Sequence, residues 1–211
     1  NFSGLSQRLS KIMLNQKVIL ASTSPYRKEL LARLGIPFDV VAPNVREKPL
    51  PGERPADLAL RLAISKAKAG AELFSEGLVI GSDQVAEVNG VIMGKPADRQ
   101  AAIDQLTRAS GNRMTLYTGL ALVNITADSV QSAVEPYYVQ YRELSLAQIN
   151  RYIDTEEPYG CCGSLKSEGL GITFLSELSG KDPTALIGLP LIKLTDMLSN
   201  EGMEFPVSDA S

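Results

Sequence analysis

Two carboxylates, Glu47 and Asp83, and four cations, Arg27, Arg61, Lys66 and Lys95, stand at the edges of segments rather than inside apolar runs. Together they form an inventory for handling a triphosphate with a metal. One carboxylate can share the metal cation, the other can orient or deprotonate a water, and the basic side chains neutralise charge developing on phosphoryl oxygens. Histidine is absent, which removes the commonest general base and the commonest transition-metal ligand. Acid–base work then falls to carboxylates, Lys, Tyr or Cys, and a hard cation held by oxygen, Mg²⁺ or Mn²⁺, fits better than zinc. Spacing alone does not bring these groups together, and each taken singly is equally an ordinary solvated surface charge.

The elements that must position them are legible in the chain. In Val18-Ile-Leu-Ala-Ser22-Thr-Ser-Pro-Tyr26-Arg27 a short apolar strand passes through small hydroxyl residues into a helix opening at Pro25. Ser24 is placed to cap that helix, so the junction turns backbone N–H groups and a positive dipole end toward a phosphate-like guest beside Arg27. Gly35 stops the helix and Pro37 to Val41 predicts a second strand. A Pro-rich loop carries Glu47, and Pro55 opens a long helix expected to bury Leu58, Leu62, Ser65 and Ala69, with Lys66 near the border of that face. Leu78 to Ser82 reads as a buried strand with Asp83 and Gln84 at its C-terminal end, where ligands gather in α/β sheets. Val85 to Met93 forms a hairpin around Asn89-Gly90.

A helix is predicted over Arg99 to Ala109, strands over Arg113 to Asn124 and Tyr137 to Leu144, and a final helix over Pro190 to Leu198. Ser145 and Gln148 form a capping box. Gly160 to Gly171 lacks the spacing of a P-loop and is expected to be loop and strand.

With 211 residues, 44% of them hydrophobic and 21% charged, the chain is long enough for one sizeable core or two lobes around a cleft. The expectation is a single domain over residues 13–205, with 1–12 as an N-terminal extension outside the core. A net charge of -3 without a long basic run argues against a nucleic-acid polymer as partner and leaves room for a small nucleotide. No stretch is long and apolar enough to suggest a membrane span. The only cysteines, Cys161 and Cys162, are adjacent, which fits neither a disulfide framework nor a zinc site and points to inert thiols in a cytoplasmic protein.

The motifs Ala21-Ser22-Thr-Ser24-Pro25-Tyr26-Arg27, Leu62-Ala63 with Lys66-Ala67, Gly81-Ser82-Asp83-Gln84-Val85, Gly94-Lys95-Pro96, Ser110-Gly111, Thr118-Gly119-Leu-Ala and Gly163-Ser-Leu-Lys166-Ser-Glu168-Gly169 follow one another in a fixed order. In that order the chain resembles the Maf family of nucleotide pyrophosphatases from about Val18 to Leu198. The resemblance implies an α/β fold, a mixed twisted sheet with flanking helices and two lobes around a deep cleft, of the ITPase-like kind. It also implies metal-dependent hydrolysis of a nucleoside triphosphate to its monophosphate and pyrophosphate, and frequently a homodimer. Asp83 matches the family's proton acceptor, and Ser22, Arg27, Glu47, Lys66 and Lys95 match phosphate or metal contacts, with Glu47 and Asp83 as the metal pair.

Within the family the chain is more similar to the branch acting on 7-methyl-GTP than to the one acting on dTTP and UTP, because Tyr26, Gln84 and Glu168 stand at the specificity positions. Methylation at N7 makes guanine cationic, and a cation over an aromatic face such as Tyr26 gains about 0.5–2 kcal/mol. A carboxylate at Glu168 suits the guanine N1–H and amine, and Gln84 offers a donor and an acceptor. Two positions depart from the family pattern: Tyr26 replaces the usual Trp, and Arg46 replaces the usual Asp before Glu47. A broader nucleotide pyrophosphatase, or a nucleotide-binding regulatory module in cell division, is the rival expectation.

Overall fold

The computed structural model describes residues 16–207; the extension expected over 1–12 and the first residues of the expected domain lie outside them. A seven-stranded mixed sheet runs β2–β1–β3–β5–β6–β7, with β4 also paired to β3. β1 (Val18–Ala21) is parallel to β2 (Asp39–Val41) and β3 (Leu78–Val88). The antiparallel part adds β4 (Val91–Met93), β5 (Arg113–Asn124), β6 (Ser129–Tyr141) and β7 (Leu175–Gly180). Asn89 and Gly90, both at positive φ, make the tight β3–β4 turn.

The helices are α1 (Pro25–Ala32), α2 (Pro55–Ala71), α3 (Arg99–Ala109), α4 (Leu146–Glu156), α5 (Pro183–Ile187) and α6 (Leu191–Asn200). Ser24 caps α1 by accepting the Arg27 N–H, Asp98 caps α3, and Ser145 with Gln148 forms the expected capping box on α4. Such caps contribute about 1 kcal/mol each.

Side chains alternate across β3 and so divide the core. One face carries Ile80 and Leu120 into a cluster with Leu30 and Leu31 of α1 and Leu194 and Leu198 of α6. Farther along the sheet, Ala86, Val88 and Met114 join a second cluster with α3 and α4. These are two lobes on one sheet. The opposite face is covered by α2, whose Ala63 and Ala67 pack on Val79 and Ala121. The buried residues of α2 are Leu58, Ala59, Leu62, Ala63, Lys66, Ala67 and Gly70, so the face is rotated from the expected one: Ser65 and Ala69 are only half-buried.

That close seating of α2 requires glycine beneath it. A Cβ at Gly119 would stand 2.1 Å from the Ala59 carbonyl oxygen, and one at Gly81 would stand 2.2 Å from that of Ala63. Gly119→Ala should therefore lift α2 and cost about 1–3 kcal/mol of stability by overpacking, read as a lower urea midpoint.

Three expectations are corrected. Asp83 and Gln84 do not end a strand, because β3 continues through them to Val88 on the ladder supplied by β5. The strand expected from Tyr137 begins at Ser129 and ends at Tyr141. Residues 160–171 hold short 3₁₀ turns and no strand, and the strand follows at Leu175.

Candidate active site

On one edge of β3, β1 pairs as far as Gly81 and β4 begins pairing at Ala86. Residues Ser82 to Val85 are therefore left without a strand on that side, at the carboxyl end of the parallel strand β1. The chain leaving β1 at Ser22 turns into α1 beside this gap. The position expected of a ligand site in an α/β sheet thus exists although β3 itself does not stop there.

Asp83 points toward α2. Its Oδ1 accepts a hydrogen bond from Lys66 Nζ at 2.6 Å, and the same ammonium lies 2.7 Å from Glu47 Oε1. The Lys66 and Asp83 side chains are 9% and 11% exposed, whereas Glu47 is 60% exposed. One buried cation is thus shared between a buried and a solvent-facing carboxylate. Desolvation opposes the charge on Glu47, but the hydrogen bond and charge of Lys66, with Lys95 and Arg27 beyond it, hold the carboxyl below the usual carboxylate range. Among the described residues Oδ2 of Asp83 has no hydrogen-bond partner in the protein, which leaves one oxygen to receive a proton.

Arg27, on α1, lies within electrostatic reach of Asp83 and Glu47. Its Nε donates to the Gly188 carbonyl at 2.8 Å and Nη1 donates to Ser22 Oγ at 3.4 Å. Ser82 Oγ lies 3.0 Å from the same Gly188 carbonyl and 2.8 Å from that of Gly119, and its single proton is shared between them. Burial lowers the Arg27 pKa, opposed by the charges of Asp83 and Glu47, and a guanidinium remains protonated at neutral pH regardless. The Ser22 and Ser24 hydroxyls already accept from the Ser24 and Arg27 N–H groups. The junction therefore offers fewer free backbone donors than its sequence suggests, and Arg27 supplies most of its positive character. Lys95 is exposed and makes no ion pair among the described residues.

Arg61, the fourth cation of the inventory, is committed elsewhere. It donates to Glu53 from Nε at 2.6 Å and from Nη2 at 2.8 Å, and to the Lys48 carbonyl at 3.1 Å. This clasp braces the loop that carries Glu47, a role that no local spacing announces. Arg61 holds the Glu53 carboxyl down to about 2. A folded-state value below the ordinary one stabilises the fold above the ordinary carboxylate range and is lost as pH falls toward the depressed value. Arg61→Met should consequently lower the melting temperature near pH 7 and converge with the parent near about pH 2, measured by thermal denaturation across that range.

The specificity candidates divide between two places. Gln84 points to the face opposite Asp83, where Nε2 donates to the carbonyls of Ala185 at 2.9 Å and Leu186 at 3.2 Å and to Thr118 Oγ1 at 3.1 Å. Its donor is thus committed to α5, and only its carbonyl oxygen is left to meet a ligand. Tyr26, half-buried, lies against Cys161 and within electrostatic reach of Lys166 and Glu168. Glu168 is exposed, and its carboxylate accepts a hydrogen bond from Ser167 Oγ at 2.9 Å. Both cysteines are free and half-buried. Desolvation raises both thiol pKa values, that of Cys162 to about 11, as expected of inert thiols. The Cys162 thiol donates to the backbone carbonyl of Gln84 at 3.1 Å.

Sequence reasoning missed Gly188 and the α5 carbonyls, which orient Arg27, Ser82 and Gln84 through the backbone. Asp182, 2% exposed, fixes that segment by accepting from the N–H groups of Thr184 at 2.8 Å and Ile192 at 2.9 Å. An Asp-Pro pair opening a short helix is the only trace of it in the sequence.

The chain is similar to known proteins over most of its length. The chain is 51% identical over 192 residues to a protein of Vibrio vulnificus named 7-methyl-GTP pyrophosphatase, covering 91% of this chain and 98% of that one. Proteins of the same name from Nitrosococcus oceani and Methylobacillus flagellatus are 50% and 49% identical, covering 90% and 89% of this chain and 94% and 97% of theirs. Among solved structures, a Ham1 protein of Staphylococcus aureus overlaps 61% of this chain and 73% of its own at 17% identity, with a TM-score of 0.45. The family model described as "Maf-like protein" matches residues 17–201, and the chain belongs to the Maf family.

Proposed function

We propose that this protein hydrolyses 7-methyl-GTP to 7-methyl-GMP and pyrophosphate. The observation that carries the reading is the Asp83–Lys66–Glu47 cluster beside Arg27 at the open edge of β3. Asp83 takes a proton at its unpartnered oxygen from a water attacking the α-phosphorus. Lys66 holds that carboxylate in place, while Arg27 and Lys95 offset charge on the departing pyrophosphate. The relatives that carry the name 7-methyl-GTP pyrophosphatase at about half identity support the choice of nucleotide. Tyr26 supplies an aromatic face for the methylated, cationic ring, and Glu168 supplies acceptors for the guanine N1–H and amine.

The donors fit a divalent cation. No group of three or more His, Cys, Asp or Glu among the described residues is arranged for a metal, but Glu47 and Asp83 meet at one ammonium. A pair of carboxylates completed by substrate phosphates and water is how Mg²⁺ is commonly bound. Mg²⁺ or Mn²⁺ held chiefly by the solvent-facing Glu47, with Asp83 beside it, would supply further neutralisation of phosphoryl oxygens.

The reading is tested by pyrophosphate release from 7-methyl-GTP, GTP, dTTP, UTP and CTP, with Mg²⁺ or Mn²⁺, in the native protein and Glu168→Gln. The expected result is that 7-methyl-GTP leads and that Glu168→Gln loses about threefold to tenfold of that preference. Leading activity on dTTP or UTP overturns the choice of nucleotide, and tight binding without hydrolysis favours a regulatory module.

A further inference from the structure

Lys166 stands two residues before Glu168, and the charges of both are felt at Tyr26 and Cys161. A lysine so close would be expected to neutralise Glu168, but it does not. Lys166 Nζ is 2.6 Å from Glu156 Oε2, at the end of α4. The Glu156 side chain is only 12% exposed, and its other oxygen accepts the Leu170 N–H at 2.7 Å. The loop between is pinned from the same face of α4, since the Tyr152 hydroxyl accepts the Lys166 N–H and donates to the Ser164 carbonyl, each at 2.9 Å. Gly169 lets Glu156 come this close, because a Cβ there would lie 2.3 Å from Glu156 Oε1.

We propose that Glu156 is a positioning residue for base selection: by holding the Lys166 ammonium, it keeps the Glu168 carboxylate uncompensated for a cationic base. The inference rests on the proposed preference for 7-methyl-GTP and deepens it. Lysine is a mobile point charge on a flexible stem, so Lys166 released from Glu156 has Glu168, the one carboxylate of residues 160–171, as the alternative partner in its own loop. Glu156→Gln keeps an oxygen for the Leu170 N–H while removing the charge that retains Lys166.

The test measures KM and kcat for 7-methyl-GTP and GTP in four proteins: native, Glu156→Gln, Lys166→Met and the double variant. In Glu156→Gln the preference for 7-methyl-GTP is expected to fall about threefold to tenfold, mainly through KM, with little change on GTP. The double variant should regain it, since the competing cation is gone, and Lys166→Met alone should keep or raise it. A purely structural role for Glu156 would not be rescued by removing Lys166. Undiminished preference in Glu156→Gln, no recovery in the double variant, or a loss in Lys166→Met overturns the proposal while leaving the native preference intact. A native protein that does not favour 7-methyl-GTP over GTP overturns the proposed substrate, and this inference with it.

Discussion

Asp83→Asn is expected to lower pyrophosphate release by about three orders of magnitude while the protein stays folded. The substitution keeps the side chain's size and leaves an amide oxygen to accept from Lys66 Nζ, which now lies 2.6 Å from Asp83 Oδ1. What it removes is the basic oxygen that has no protein partner among the described residues. The fold should tolerate this, because Lys66 keeps its second carboxylate, Glu47, at 2.7 Å. Initial rates and thermal denaturation on the same sample separate the two effects. A folded variant with near-native turnover would remove Asp83 from the role of general base.

Lys66→Met should damage both stability and turnover. Nearly buried, Lys66 is the only cation within 4.0 Å of Asp83 among the described residues, and Asp83 is itself 8% exposed. Removing one partner of a buried pair leaves the other charge without compensation, at a cost of about 3–5 kcal/mol. Glu47 faces solvent and adds little to that cost. Turnover should fall by about a hundredfold or more, because Asp83 loses its fixed orientation. The double variant Lys66→Met/Asp83→Asn distinguishes these contributions. Urea denaturation should show it more stable than Lys66→Met alone, since the stranded charge is gone, while its activity stays at the level of Asp83→Asn. Equal stability of Lys66→Met and the native protein would show that the pair is not the electrostatic unit described here.

Local chemistry was legible wherever it depended on near neighbours. The Ser24-Pro25 start of α1, the capping box of α4 and the Asn89-Gly90 turn are each decided within four residues, and the structure contains all three. Asp83 lies inside a strand and not at the expected end for a physical reason: Ser82-Asp83-Gln84 is a polar interruption, and only the ladder with β5 keeps it extended. The first half of β6 leaves little trace in the sequence because β7 pairs only from Tyr137 onward, so residues 129–136 have a strand on one side and lack a clear buried alternation. The buried face of α2 differs from the expected one because its closest contacts are made by alanines over Gly81 and Gly119, and such small residues carry little hydrophobic signal.

The site itself divides in the same way. Residue types nominated Asp83, Glu47, Lys66 and Arg27, and the fold brings them together. The partners that decide their roles lie far away in sequence. Arg61 turned from a phosphate candidate into a loop brace through Glu53, and Gln84 lost its free donor to carbonyls a hundred residues on. Lys166, inside the last of the ordered motifs, is held by a carboxylate on α4.

The most direct test of the central claim is hydrolysis of 7-methyl-GTP by the native protein in ¹⁸O-labelled water, with both products analysed by mass. Attack at the α-phosphorus with Asp83 as base predicts equal amounts of 7-methyl-GMP and pyrophosphate, with one ¹⁸O in the nucleotide monophosphate and none in pyrophosphate. Release of inorganic phosphate, label in the pyrophosphate, or no turnover of 7-methyl-GTP would contradict it.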